Sequence, residues 1–192
     1  MNRRDALKRT AAITGIAISS SVGAGFLSGC QPTGDPGWEP VFLNKDQVNL
    51  VTSIVDVILP KTSTPGAIEL HVPEFLDLML FDNFDSKGQD IFRRGIEDFD
   101  KKIRKNYPDG FDHCNQSVKE NIIAEEEEES RKTYSQTYQK SFYLTLKEIS
   151  LLGYFSSEYV MRNLLNYNPV AGRYEGCIPF SEEDRLYVDD NV

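Results

Sequence analysis

From Asn44 to Leu165 the apolar residues return at intervals of three and four, and no stretch alternates convincingly, so the chain has helices to pack and no sheet to build. Val48, Val51, Ile54, Val55 and Ile58 fall on one helical face; Asn44 with Gln47 three residues on has the form of a capping box, and Pro60 is the stop. Lys61 to Gly66 reads Lys-Thr-Ser-Thr-Pro-Gly, a turn, and Pro73 opens a second apolar helix through Phe75, Leu76, Leu78, Met79 and Leu80. Phe92, Ile96, Phe99 and Ile103, spaced four, three and four, define a third helix that Pro108-Asp109-Gly110 ends. A fourth starts near Gln116, carries Val118, Ile122 and Ile123, and continues into the run Glu125 to Glu129. That run reads as a solvated face, because neighbours on a helix point in different directions and do not converge on a metal. Ser141 to Leu152 is apolar nearly all round, the expected centre of the core, with Gly153 as its stop. Ser156 or Ser157 caps a last helix through Val160, Met161, Leu164 and Leu165, and Asn168-Pro169 begins a tail without periodicity. The expected fold is all-α: a single compact domain of five to six helices over residues 42–180, followed by an acidic tail at 181–192. At 192 residues and 40% hydrophobic content the chain can fill one core and not two.

Residues 1–29 are of another kind. Arg3, Arg4, Lys8 and Arg9 precede an uncharged run from Thr10 to Gly29 rich in Ala, Gly, Ser and Ile, the layout of a signal peptide. Asn2-Arg3-Arg4-Asp5-Ala6-Leu7-Lys8 resembles a twin-arginine export signal, with Arg3 and Arg4 as the pair and Ala6 where a bulky apolar residue is usual. The run ends in Leu27-Ser28-Gly29-Cys30, which resembles a bacterial lipobox: small residues admit a lipoprotein peptidase to the bond before Cys30, whose thiol takes the diacylglycerol. An uncleaved anchor is the competing reading, since about 20 uncharged residues just span a bilayer, but the softness of this run disfavours it. The expected product is a cell-envelope lipoprotein, on the periplasmic or surface side, membrane-anchored through lipid on Cys30. Gln31 to Pro40 is too rich in Pro and Gly for a helix or central strand, so residues 30–41 read as a lipidated tether.

Charge narrows the partners. The chain has 30 acidic and 21 basic side chains, a formal −9; removing residues 1–29 takes one acidic and four basic groups away, leaving 29 against 17, or −12. No basic stripe is available for nucleic acid, and anionic headgroups are not attracted, so attachment rests on the acyl chains. Chemistry is equally unmarked. There is no Cys-x-x-Cys-His for haem, no Cys-x-x-Cys pair for zinc or iron–sulfur, and no phosphate loop. Only His71 and His113 are present, too few for a three-histidine site, and His71 before Val72-Pro73 reads as a turn or cap residue. His113-Cys114 sits in a turn-rich stretch where adjacent side chains project apart, so no nucleophile is read there. No catalytic, cofactor-binding or metal residue is expected in this chain. Once Cys30 is lipidated, Cys114 and Cys177 remain in an exported protein, where disulfides persist. A bond between them, a bond from one of them to a partner chain, and two buried free thiols are all open. The internal bond, slightly favoured, would close a loop of about 64 residues and contribute ~4 kcal/mol.

Two blocks carry more than periodicity. Ile54-Val55-Asp56-Val57-Ile58-Leu59-Pro60, then Thr62-Ser63-Thr64-Pro65-Gly66-Ala67 and Val72-Pro73-Glu74-Phe75-Leu76-Asp77, resembles the opening of the gluconate 2-dehydrogenase small-subunit (gamma, third) family. In that family a helix ends at Leu-Pro or Ile-Pro and runs into a Thr-x-Thr-Pro-Gly-Ala turn. Phe142 with Leu146, Gly153-Tyr154-Phe155-Ser156-Ser157-Glu158, Asn166-Tyr167-Asn168-Pro169 and Tyr174-Glu175-Gly176-Cys177-Ile178-Pro179 resemble its closing block. Together the blocks cover most of Asn44 to Phe180, and the middle, Asp85 to Tyr138, fits in length and helicity alone.

The resemblance implies a non-catalytic accessory subunit of an exported FAD-dependent sugar or sugar-acid dehydrogenase. FAD and the substrate chemistry would belong to a large partner subunit of the glucose-methanol-choline type, with electrons passing through a separate cytochrome c subunit where one exists. Maturation, twin-arginine co-export and membrane attachment of the flavoprotein are the small subunit's implied work. FAD is inserted in the cytoplasm, so the flavoprotein travels folded, and one signal on the small partner can carry both. The lipobox departs from the family and would place attachment on this subunit's lipid. A stand-alone helical envelope lipoprotein that binds a ligand or surface protein is the alternative, and an enzyme built from unmarked Asp, Glu and Tyr side chains is a third class. Fold or partner contacts are expected at Thr64, Pro65 and Gly66 and in the Gly153-Tyr154-Phe155 turn. Tyr154, Phe155, Tyr159, Tyr167 and Tyr174 are read as rings in or beside turns that meet a partner, with packing onto the chain's own body the equal alternative.

Overall fold

The computed structural model describes residues 37–137 and 139–165, with scattered positions from 167 to 186. Helix α1, Lys45–Ile58, begins at the expected capping box: the Asn44 side chain accepts from the Gln47 N–H at 2.9 Å while the Gln47 side chain accepts from the Asn44 N–H at 3.1 Å. Pro73 lies in the first turn of α2, Val72–Asn83, and His71 occupies the N-cap position in a left-handed conformation without a side-chain cap bond. The Asp85 carboxylate, accepting from Gly88 N–H at 2.7 Å, starts α3, Ser86–Arg104, whose last turn carries Lys101, Lys102 and Arg104 against the negative end of the helix dipole. A 3-10 turn, Phe111–His113, precedes α4, Gln116–Thr137. Ser141 caps α5, Phe142–Phe155, and α6 is the short Glu158–Asn163. Among the described residues there are six α-helices and no strand, the expected all-α fold.

Helix α5 touches each of the other five, most extensively α2. Its buried Tyr143, Leu146 and Ile149 pack with Val51, Ile54 and Val55 of α1, Leu76 and Leu80 of α2, and Phe92 and Ile96 of α3. A chain of rings from Phe42 through Phe92, Phe142 and Phe99 to Phe111 runs through this core with centroids 5.6–6.4 Å apart, all tilted or edge-on.

Two expectations need correction. Gly153 is not a stop: α5 continues to Phe155, and a Cβ at 153 would lie 2.6 Å from the Phe75 ring. The glycine is there because α2 and α5 approach closely. The glutamate run is only partly a solvated face. Glu126 meets Lys102 of α3 at 2.9 Å, and Glu127 meets Lys147 of α5 at 2.7 Å, Arg131 at 2.7 Å and the Tyr143 hydroxyl at 3.3 Å, whereas Glu128 stays outward with Lys132. Lys147 holds the Glu127 carboxyl below the ordinary range, and burial with the Glu127 charge beside it pushes the Tyr143 hydroxyl up.

The segment read as a tether is docked at its far end. Trp38 packs against the core, and the fully buried Asp77 carboxylate of α2 accepts from the backbone N–H groups of Val41 at 2.7 Å, Phe42 at 3.1 Å and Leu43 at 2.7 Å. Arg93 lies over the Phe42 ring at 4.2 Å from its centroid.

Candidate partner-binding surface

The motif turn after α1 and the closing block, 89 residues apart at their point of contact, meet at one end of the helix bundle. Within the turn, Thr62 N–H donates to the Thr64 carbonyl at 3.0 Å and Ala67 N–H to the Leu59 carbonyl at 2.9 Å. Glu69 closes it from outside, accepting from Gly66 N–H at 2.9 Å and pairing with Lys61. The Lys61 ammonium, then the Gly66 N–H, hold the Glu69 carboxyl below its ordinary value. Gly66 is buried, and a Cβ there would lie 2.7 Å from the Lys61 nitrogen, so the turn closes only on glycine. Its role in the fold is to let this turn close.

Tyr154 reaches this turn from α5, its hydroxyl donating to the Pro65 carbonyl at 3.1 Å. At 8% exposure it belongs to the domain's own core, which corrects its placement among the partner-facing rings. The hydroxyl needs a partner inside the protein, and the Pro65 carbonyl supplies one. Phe155 stands edge-on to Tyr154, centroids 5.5 Å apart, and remains 47% exposed. Tyr159, 40% exposed, lines a shallow hollow of about 460 Å³ with Thr62, Ser63, Thr64 and Pro65. Thr64 and Pro65 are half-buried, and Tyr167 is exposed. Tyr174, Arg3, Arg4 and Cys30 lie outside the described residues.

Cys114 and Cys177 are free thiols, so the internal bond is not formed in this structure. Cys177 is exposed; Cys114 is half-buried, donates to the Gly110 carbonyl at 3.5 Å, and has its thiol pKa pushed up by burial, the reverse of what a nucleophile needs. Among the described residues no group of three or more His, Cys, Asp or Glu side chains is placed to hold a metal ion, and no helix is long and apolar enough to cross a membrane. This end of the molecule carries a shallow hollow and exposed rings beside a hydrogen-bonded turn.

The family model described as gluconate 2-dehydrogenase subunit 3 matches residues 45–172. The chain belongs to that family. The match opens on the first residue of α1 and runs past α6, taking in both the Thr-Pro-Gly turn and the Gly153-Tyr154-Phe155 block. Membership in the gluconate 2-dehydrogenase subunit 3 family makes this an accessory subunit of a dehydrogenase complex, associating with the other subunits. No curated protein and no solved structure matches the chain.

Nothing in the sequence singled out Asp77. It sits inside a quoted motif, but its three backbone partners lie 34 to 36 residues earlier, in a segment without periodicity. The usable signal was a lone Asp on the otherwise apolar stretch Phe75 to Phe81, where a buried charge requires donors.

Proposed function

We propose that this chain is the non-catalytic subunit that matures, co-exports and anchors the FAD-bearing subunit of a sugar or sugar-acid dehydrogenase. The observation carrying the reading is the subunit-family match across the helical domain. It is supported by the exposed apolar residues and hollow at the end of the bundle and by the Arg3-Arg4 and Leu27-Ser28-Gly29-Cys30 patterns ahead of it. FAD and the reacting groups belong in this reading to a partner of the glucose-methanol-choline type, and a cytochrome c subunit, where present, takes the electrons. Twin-arginine export carries folded cargo, so a flavoprotein without its own signal crosses only while docked on this chain. Lipid on Cys30 then keeps the pair at the membrane of the cell envelope.

The test separates the two stages. Replacing Arg3 and Arg4 by Lys should leave both proteins in the cytoplasm, while Cys30→Ala should export both and release them from the membrane fraction with helical content intact. Normal export of the flavoprotein from cells lacking this chain would overturn the escort role. An unacylated mature N-terminus, read by mass, would overturn the anchor.

A further inference from the structure

We infer that the dehydrogenase's flavoprotein subunit seats on the outward face shared by α2 and α5, with Leu78, Phe81, Leu152 and Phe155 as its apolar ridge and the Tyr159 hollow at its end. The inference rests on the accessory-subunit reading and locates the contact that reading requires. The argument starts from the helices themselves. α2 and α5 are apolar around most of their circumference, a composition that in a soluble protein calls for cover on every side. Cover is incomplete on one side: Leu78 is 44% exposed, Phe81 52% and Leu152 51%, with Phe155 and Tyr159 as given above.

Leu78 and Leu152 lie beside the joint between the two helices. Leu78 is one turn on from Phe75, and Leu152 is adjacent to Gly153, the residue against which Phe75 packs, so both flank one helix–helix contact. Phe155 extends the ridge over Tyr154, whose hydroxyl is fixed to Pro65, and Pro65 lines the hollow with Tyr159.

The size and charge of the face select the occupant. Five side chains about half exposed, each presenting roughly 200 Å² when free, offer on the order of 500 Å² of apolar surface. A standard interface of about 800 Å² per partner that is a little over half non-polar needs roughly 450 Å², whereas obligate homodimers need more area and a more apolar one. Among the described residues, Lys61 at the hollow and Arg162, three residues on from Tyr159, are paired with Glu69 and Glu158, so neither offers a lipid headgroup a free positive charge. A ridge beside a hollow of about 460 Å³ suits a protein surface that sends a side chain into it.

The experiment co-expresses the tagged full chain with the flavoprotein of its complex and reads flavin absorbance per mole of captured chain. Leu78→Glu with Leu152→Glu should lower it at least tenfold while the chain alone keeps its melting temperature. Phe81→Ser with Phe155→Ser serves the same purpose at unaltered charge if the first pair disturbs the fold. Ile91→Glu, equally exposed at 50% but on α3, should leave capture unchanged. Full capture by both double variants, with capture by the natural chain, overturns the face and leaves the subunit reading standing. No capture by the natural chain overturns that reading and this inference with it. A dimer of the chain alone that either pair dissociates while capture persists, or face-dependent binding of the Cys30→Ala chain to phosphatidylcholine vesicles, assigns the face to another occupant and overturns the inference.

Discussion

Helices α3 and α5 both pass through the core, and they leave it in different condition. α3 buries one stripe, Phe92, Ile96, Phe99 and Ile103, and covers its remaining surface largely with charge, much of it paired: Arg104 with Asp100 at 2.7 Å, Lys101 with Asp98 at 3.7 Å, and Lys102 with Glu126 and Glu129 of α4. α5 buries Tyr143, Leu146 and Ile149 and then shows Leu152 and Phe155 to the outside, with its only two charges, Lys147 and Glu148, both paired. Stability explains the buried stripes of both helices. It does not explain the apolar residues on the outside of α5, because Leu152 and Phe155 leave about half of their surface in water, where it adds little to the fold. The outside of α3 is finished largely in charge, and the outside of α5 ends in apolar side chains.

Truncation should break the comparison most sharply. Phe99→Ala should cost about 3–5 kcal/mol, whereas Leu152→Ala, a smaller truncation and on the outward face, should stay within about 0.5 kcal/mol; urea unfolding of both variants measures the gap. A large loss for Leu152→Ala would return the outer face to the domain's own core. Next in size, Gly66→Ala should destabilise by about 1–3 kcal/mol through the Lys61 backbone contact and shift the Tyr159 hollow. Tyr154→Phe should cost about 1 kcal/mol by removing the bond to Pro65, with no new clash. Equal effects would mean that the turn yields around residue 66. The smallest effect concerns the ion-paired side. The Glu127 carboxyl is held below its unfolded value by Lys147, so its contribution is present above the unfolded pKa and is lost as pH falls through the folded one. For a pair this open to water the loss is under about 1 kcal/mol, and a Lys147→Met chain should show correspondingly less acid sensitivity in its melting temperature.

Where local chemistry decides the structure, the sequence was sufficient. Asn44 and Gln47 are neighbours by helical geometry wherever the chain places them, and the four-three-four spacing of Phe92 to Ile103 permits one buried stripe. Positions decided by a remote partner are not legible in their own neighbourhood. Gly153 carries the composition of a helix stop, but Phe75, 78 residues earlier, requires its missing Cβ. Glu126 and Glu127 look like solvated neighbours until Lys102 and Lys147 arrive from other helices. Tyr154 was grouped with Phe155 and Tyr159 because all three lie near turns, yet successive residues of a helix face different ways, and only Phe155 and Tyr159 point out. The family resemblance was legible because its motifs are turns, which are short and rigid enough to be carried by a few residues.

The hold of Asp77 on Val41, Phe42 and Leu43 has a mechanical consequence. Once the Trp38 ring has left its packing, tension along the chain ahead of Val41 does not arrive at the first turn of α1, where hydrogen bonds would be peeled off one after another. It is delivered to a single carboxylate midway along α2, through three backbone donors 2.7–3.1 Å away that must give way together, with Phe42 wedged beneath Arg93 behind them. A domain held by its leading end is thereby gripped at its centre, and pulling on that end strains the helix that also carries Leu78 and Phe81.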